Sequence, residues 1–308
     1  MSRSIAVLCS LLVLWGQPRS STTRTYTFDA NGGRQLASES STGNGATANS
    51  VRNLNGGLSP VESVEERVVR QDGASRVIER IIRPFDATGQ PGPPQRIQIA
   101  ERTHPDGSKS VETEVYTGNI SGGFSLVEKT TAVTRTAGSV ETVETQVTRP
   151  TLNGSLELLE RRQARAEGGG PRRQEVLTVE RRDANGNFLP AVREVKQTQE
   201  QNGRTTENTT QYLAGASGQL EWNSQTVAET RKQSDGSERK QITLFGRSAP
   251  GRPASSEPQL REQQILEKRS ANGQTIETLS IRRPALDNPA NLGPEQKISE
   301  KVCTGACK

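Results

Sequence analysis

Large apolar residues are sparse in this chain and fall in short alternating groups. In Arg96-Ile97-Gln98-Ile99, Phe124-Ser125-Leu126 and Gln241-Ile242-Thr243-Leu244 they take every second position, the period that lines one face of a β-strand. Val140, Val143 and Val147, like Val77, Ile78, Ile81 and Ile82, are spaced to suit a helical face instead. Strands are the preferred reading: Val and Thr are β-branched, and about sixteen residues between breakers suit a strand plus a turn better than a capped helix.

The breakers recur. One glycine series falls at Gly56, Gly89, Gly122, Gly154, Gly186, Gly218 and Gly251, at intervals of 32 or 33 residues. Halfway through each unit comes a second signal, as in Asp72-Gly73, Asp106-Gly107, Asn202-Gly203, Asp235-Gly236 and Asn272-Gly273. Asp-Gly and Asn-Gly favour hairpin turns because both central residues of a type I′ turn need positive φ. Arg83-Pro84, Arg149-Pro150 and Arg283-Pro284 close three units, and proline there stops a strand. The expected unit is strand, tight turn, strand, wider loop. The expected fold is all-β: tandem antiparallel β-hairpin repeats of about 33 residues in an elongated meander or solenoid-like sheet, with curling into a barrel or sandwich as the alternative.

Composition sets the core. The 308 residues are 30% hydrophobic and 3% aromatic, with mean hydropathy −0.73, enough for about three large apolar side chains per strand and hence one apolar face. The other face carries Glu, Thr, Arg and Gln. That charged face and the lack of aromatic girdles argue against an outer-membrane barrel. Forty basic residues nearly cancel 35 acidic ones. Arg and Glu alternate within the same segments, so no basic stripe for nucleic acid forms.

Four segments follow. Residues 1–20 resemble a secretory signal peptide, with Arg3 before an apolar run from Ile5 to Trp15. That run is too short to span a bilayer. The expectation is therefore a secreted, periplasmic or cell-surface protein with no transmembrane segment. Residues 21–54, rich in Ser, Thr, Asn and Gly, read as a linker with a short hairpin around Thr25 to Phe28. Residues 55–302 hold about seven hairpin units, and 303–308 form a Cys-x-x-x-Cys tail. In an exported chain Cys303 and Cys307 are a disulfide candidate. Asp29-Ala30-Asn31-Gly32 and Asp183-Ala184-Asn185-Gly186 resemble the turn of YD-repeat proteins, large secreted β shells. The likeness is confined to those turn residues and implies hairpin chemistry alone.

Catalytic chemistry has little to build on. His104 is the single histidine, which excludes a multi-histidine metal site. Neither phosphate-binding glycine motif occurs. No enzyme, cofactor or metal is expected. The functional expectation is a non-enzymatic structural or adhesive spacer of the cell envelope. Its alternative is a binding module for an anionic glycan or other envelope polymer, through Arg83, Arg149, Arg182, Arg283 and an aromatic platform at Trp222. Partners would be envelope polysaccharide or another protein pairing with exposed edge strands, and not nucleic acid.

Overall fold

The computed structural model describes residues 20–29, 31–53, 55–119, 122–248, 257–285 and 291–305. Among them run eighteen strands: β1 (Ser21–Phe28), β2 (Arg34–Gly43), β3 (Ala46–Arg52), β4 (Leu58–Asp72), β5 (Ser75–Pro84), β6 (Gln95–Thr103), β7 (Lys109–Gly118), β8 (Phe124–Ala137) and β9 (Val140–Pro150). They continue with β10 (Leu156–Glu167), β11 (Arg172–Arg182), β12 (Phe188–Gln201), β13 (Arg204–Ala214), β14 (Leu220–Lys232), β15 (Glu238–Gly246), β16 (Gln259–Ala271), β17 (Gln274–Arg282) and β18 (Gln296–Gly305). Each pairs antiparallel with its neighbours in sequence. The last also pairs with the first, from Ser21 opposite Gly305 to Thr27 opposite Ser299.

The antiparallel hairpin meander is present in its alternative form, curled into a closed barrel, and not as an elongated open stack. Closure leaves no free edge to satisfy. The strands tilt steeply. Following register from Ser21 through Thr42, Thr47, Val64, Ile82, Gln95 and Thr117 climbs from the first residue of β1 to Ser125, the second of β8.

The two rims differ. At one, two-residue turns such as Asn44-Gly45, Asn202-Gly203 and Asn272-Gly273 join the strands, each residue at positive φ as a type I′ turn demands. Ser21 and Gly305 also lie there. The opposite rim carries wider loops. In the loop after β11, Asp183 N–H donates to Asn187 O, Gly186 N–H donates to Asp183 O, and Asp183 Oδ1 accepts from the N–H groups of Asn185 and Asn187. Gly186 sits at φ 89°. Just below this rim, bulges insert one extra residue in β2, β4, β8, β10, β12, β14, β16 and β18, among them Val127, Leu159, Ala191 and Asn223. Bulges sharpen the local twist a barrel rim needs.

No compact core exists. Among the described residues no side chain is fully buried. The chain exposes 20648 Å², whereas a compact monomer of its mass would expose about 12,600 Å² by area–mass scaling. Neither face of the wall is covered by a second layer of the described residues. This explains a correction at the N-terminal end: residues 21–54, expected as a linker, supply β1 to β3. Low hydrophobicity does not oppose a strand neither of whose faces packs into a core, and Thr22, Thr23, Thr25 and Thr27 favour extended backbone.

Candidate functional site

The wall's two faces follow from alternation, and burial along β10 and β12 separates inside from outside. On a curved sheet, side chains of the concave face converge and shield one another, while those of the convex face splay. In β10, Glu157, Glu160, Arg162, Ala164 and Ala166 are half-buried, and the alternate Leu156, Arg161, Gln163, Arg165 and Glu167 are exposed. In β12, Val192, Glu194, Lys196 and Thr198 are half-buried against exposed Pro190, Arg193, Gln197 and Gln199. The first set in each strand therefore lines the lumen, and register carries the assignment around the barrel.

The lumen wall alternates Val, Ile, Ala and Thr with ion-paired charges. Glu207 lies 2.5 Å from Lys196 and 3.0 Å from Lys240. The second contact crosses β14 over Ala228, a side chain small enough to permit it. Glu160 is likewise shared by Arg162 at 2.5 Å and Arg181 at 2.9 Å. Strand residues on this face number 12 basic against 15 acidic, a deficit of three.

The outer face is the reverse: 21 basic, 19 of them arginine, against 12 acidic, a surplus of nine. Its charges are layered. At the turn rim stands a ring of arginines that includes Arg70, Arg102, Arg135, Arg165, Arg172 and Arg269. At mid-height three cations are paired, Arg24 with Glu39 at 2.7 Å, Arg67 with Glu79 at 2.6 Å, and Lys129 with Glu112 at 2.8 Å. Below the loops runs an aromatic belt. All eight strand aromatics project outward there, from Tyr26 and Phe28 round to Trp222 and Phe245. Cations cover several rings: Arg34 lies 3.6 Å from Tyr26, Arg96 4.4 Å from Tyr116, Arg161 4.1 Å from Phe188 and Lys297 4.5 Å from Phe28.

The candidate ligand residues are not brought together. Arg83 pairs with Glu65 at 2.7 Å, Arg149 with Glu128 at 3.0 Å, Arg283 with Glu262 at 3.4 Å, and Arg182 with Glu157. They stand near the loop rim on separate hairpins, each offset by a carboxylate. Trp222 faces Tyr212 across β13 and β14, within the belt. Cys303 is buried in β18 and disulfide-bonded; Cys307 and the leader residues 1–19 lie outside the described residues. His104 closes a turn-rim loop, its Nε2 2.9 Å from Ser110 Oγ. Among the described residues no cluster of His, Cys, Asp and Glu could hold a metal ion.

The fold defines the class of molecule: a closed antiparallel barrel with a wet interior, short turns with both strand ends at one rim, and longer loops at the other. No family model matches the chain and no curated protein matches its sequence. The structure is similar to that of Pseudomonas aeruginosa OccK3 (OpdO), with TM-score 0.56, 9% identity, and coverage of 93% of this chain and 94% of that one. It is also similar to a double mutant of the Rh. blastica porin, with TM-score 0.55, 9% identity, and coverage of 94% and 99%.

This porin-like closure corrects the functional expectation. A secreted structural or adhesive spacer, or a polymer-binding module, would need an extended surface or free strand edges, and β1 pairing with β18 removes the edges. Partners recruited through edge strands fall with it. Among the described residues no helix is long and apolar enough to cross a membrane, yet a barrel crosses with strands, so the missing apolar run says nothing about spanning. The objection from missing girdles also fails at one rim, where the scarce aromatics are gathered.

Proposed function

We propose that the chain forms a water-filled, porin-like channel of the outer membrane that passes small polar solutes. The carrying observation is the closed eighteen-stranded wall around a lumen that no packed core of the described residues fills, since barrels of 16 to 18 strands leave an aqueous passage. The porin-like fold favours passage of solutes over their turnover. A ten-residue strand tilted by about 40° stands roughly 25 Å tall, the height of a bilayer's apolar layer, and at that level the outer face carries carboxylate-offset charges such as Arg24 with Glu39, Arg67 with Glu79 and Lys129 with Glu112, whose cost the pairing lowers. Belt and arginine ring then fall at the two interfaces, where amphipathic rings and long cationic side chains reach the headgroups.

Within this reading the period of about 33 residues is the unit of wall extension, each unit adding one hairpin. Residues 1–20 are the export signal such a barrel requires, and Cys303 pairs with Cys307 to lock the end of β18. Liposome swelling tests the channel: vesicles carrying the refolded chain should swell in small sugars as fast as they take them up. Folded, vesicle-bound protein that leaves swelling at the rate of empty vesicles overturns it.

A further inference from the structure

Three arginines of the outer ring stand abreast. Arg204 of β13 is directly opposite Arg231 of β14, which is directly opposite Arg239 of β15. Like charges facing across strands destabilise a sheet. Their local carboxylates fall short: Glu229 is shared by Arg204 and Arg231, and Arg239 reaches only Glu267, at 3.3 Å. Directly beside them the outer face opens into a hollow of about 500 Å³ under the Asn202-Gly203 turn. Arg204 and Arg231 line it together with Gln199, Gln201 and Thr206, and Lys232, at the last position of β14 on the lumen side, reaches it at the rim. The lining is thus rich in N–H and O–H donors, and the carboxylate beside it is Glu229, which Arg204 and Arg231 share.

We infer that this hollow is a binding site for a phosphate group, held by Arg204 and Arg231 with Gln199, Gln201 and Thr206 as further donors. The planar guanidinium matches phosphate oxygens in bidentate fashion, and a bound dianion relieves the repulsion along the arginine row. Two sources share that chemistry, free inorganic phosphate and the phosphodiester of a lipid headgroup. The second source deepens the channel reading and rests on it, because the hollow lies at the depth where the turn rim would meet headgroups. The first does not depend on it.

The refolded full chain is titrated with inorganic phosphate by calorimetry, then with vesicles of phosphatidylcholine alone and of phosphatidylcholine mixed with phosphatidylglycerol. Arg231→Gln should weaken phosphate binding about tenfold, while its melting temperature in phosphate-free buffer stays level or rises, because a like-charge contact is gone. Arg165→Gln, at the same rim but away from the hollow and paired with Glu167 at 3.1 Å, should bind as the unmodified chain does. Stronger binding to the phosphatidylglycerol vesicles, lost in Arg231→Gln and competed by phosphate, identifies the headgroup. Phosphate binding with no preference between the vesicles identifies the free ion. Absence of phosphate binding, or equal weakening in both variants, overturns the site. Neither result depends on whether solutes pass through the lumen, so this test and the swelling test fail separately.

Discussion

At the residue scale the turns do the specifying. Gly203 sits at φ 72° with nothing within 4 Å of where a Cβ would stand, so the cost of a side chain there is backbone strain alone. Gly203→Ala should lower stability by about 1 kcal/mol, read as a shift of the urea midpoint at unchanged slope. The loop carboxylates form a second set. The Ser237 hydroxyl and N–H hold the Asp235 carboxyl below its ordinary range, and Ser108 and Thr88 do the same for Asp106 and Asp86. A carboxyl lowered by folding adds stability that is complete above its unfolded pKa and disappears as pH falls through the lower folded value. Ser237→Ala should therefore move the Asp235 titration, followed by NMR, up toward the ordinary carboxylate range. An unmoved titration would contradict the assigned hydrogen bond.

At the element scale the strands are legible in the sequence, and their closure only as one alternative beside an open stack. Alternation at Ile97 and Ile99, β-branched Val and Thr, and the Asn-Gly turns sufficed to read strands, and Gly56, Gly89, Gly122, Gly154, Gly186 and Gly218 all adopt positive φ in loops. Gly251 lies outside the described residues. What a local pattern does not carry is the contact between Thr27 and Ser299, which are separated by nearly the whole chain. The bulges at Val127, Leu159, Ala191 and Asn223 were also invisible, because an extra residue in a strand leaves no mark when neither face is strictly apolar. The seam makes its own prediction. Thr27→Cys with Ser299→Cys should form a disulfide on mild oxidation, since directly opposed residues meet the required Cα spacing. A chain whose ends stay uncrosslinked, by mass spectrometry, is open.

At the scale of the whole molecule, function depends on how charge is sorted between two faces, a property no single strand displays. Along each segment Arg and Glu are mixed and form no basic stripe. Residue parity carried through eighteen registers moves 19 of the strand arginines to one side, and the eight strand aromatics with them. Arg83, Arg149, Arg182 and Arg283 drew notice as strand ends, but each stands beside its own glutamate. Such exposed pairs contribute about 0–1 kcal/mol each, so they tune the wall without deciding its fold. The lumen, with 15 acidic strand residues against 12 basic ones, should favour cations weakly, and that preference should fade as salt screens it.

Single-channel recording from the refolded full chain in a planar bilayer, with a salt gradient across it, tests the central claim most directly. Discrete conductance steps are expected, with a reversal potential that shows a small cation preference. Folded chain that inserts without producing steps, or steps that favour anions, would contradict that claim.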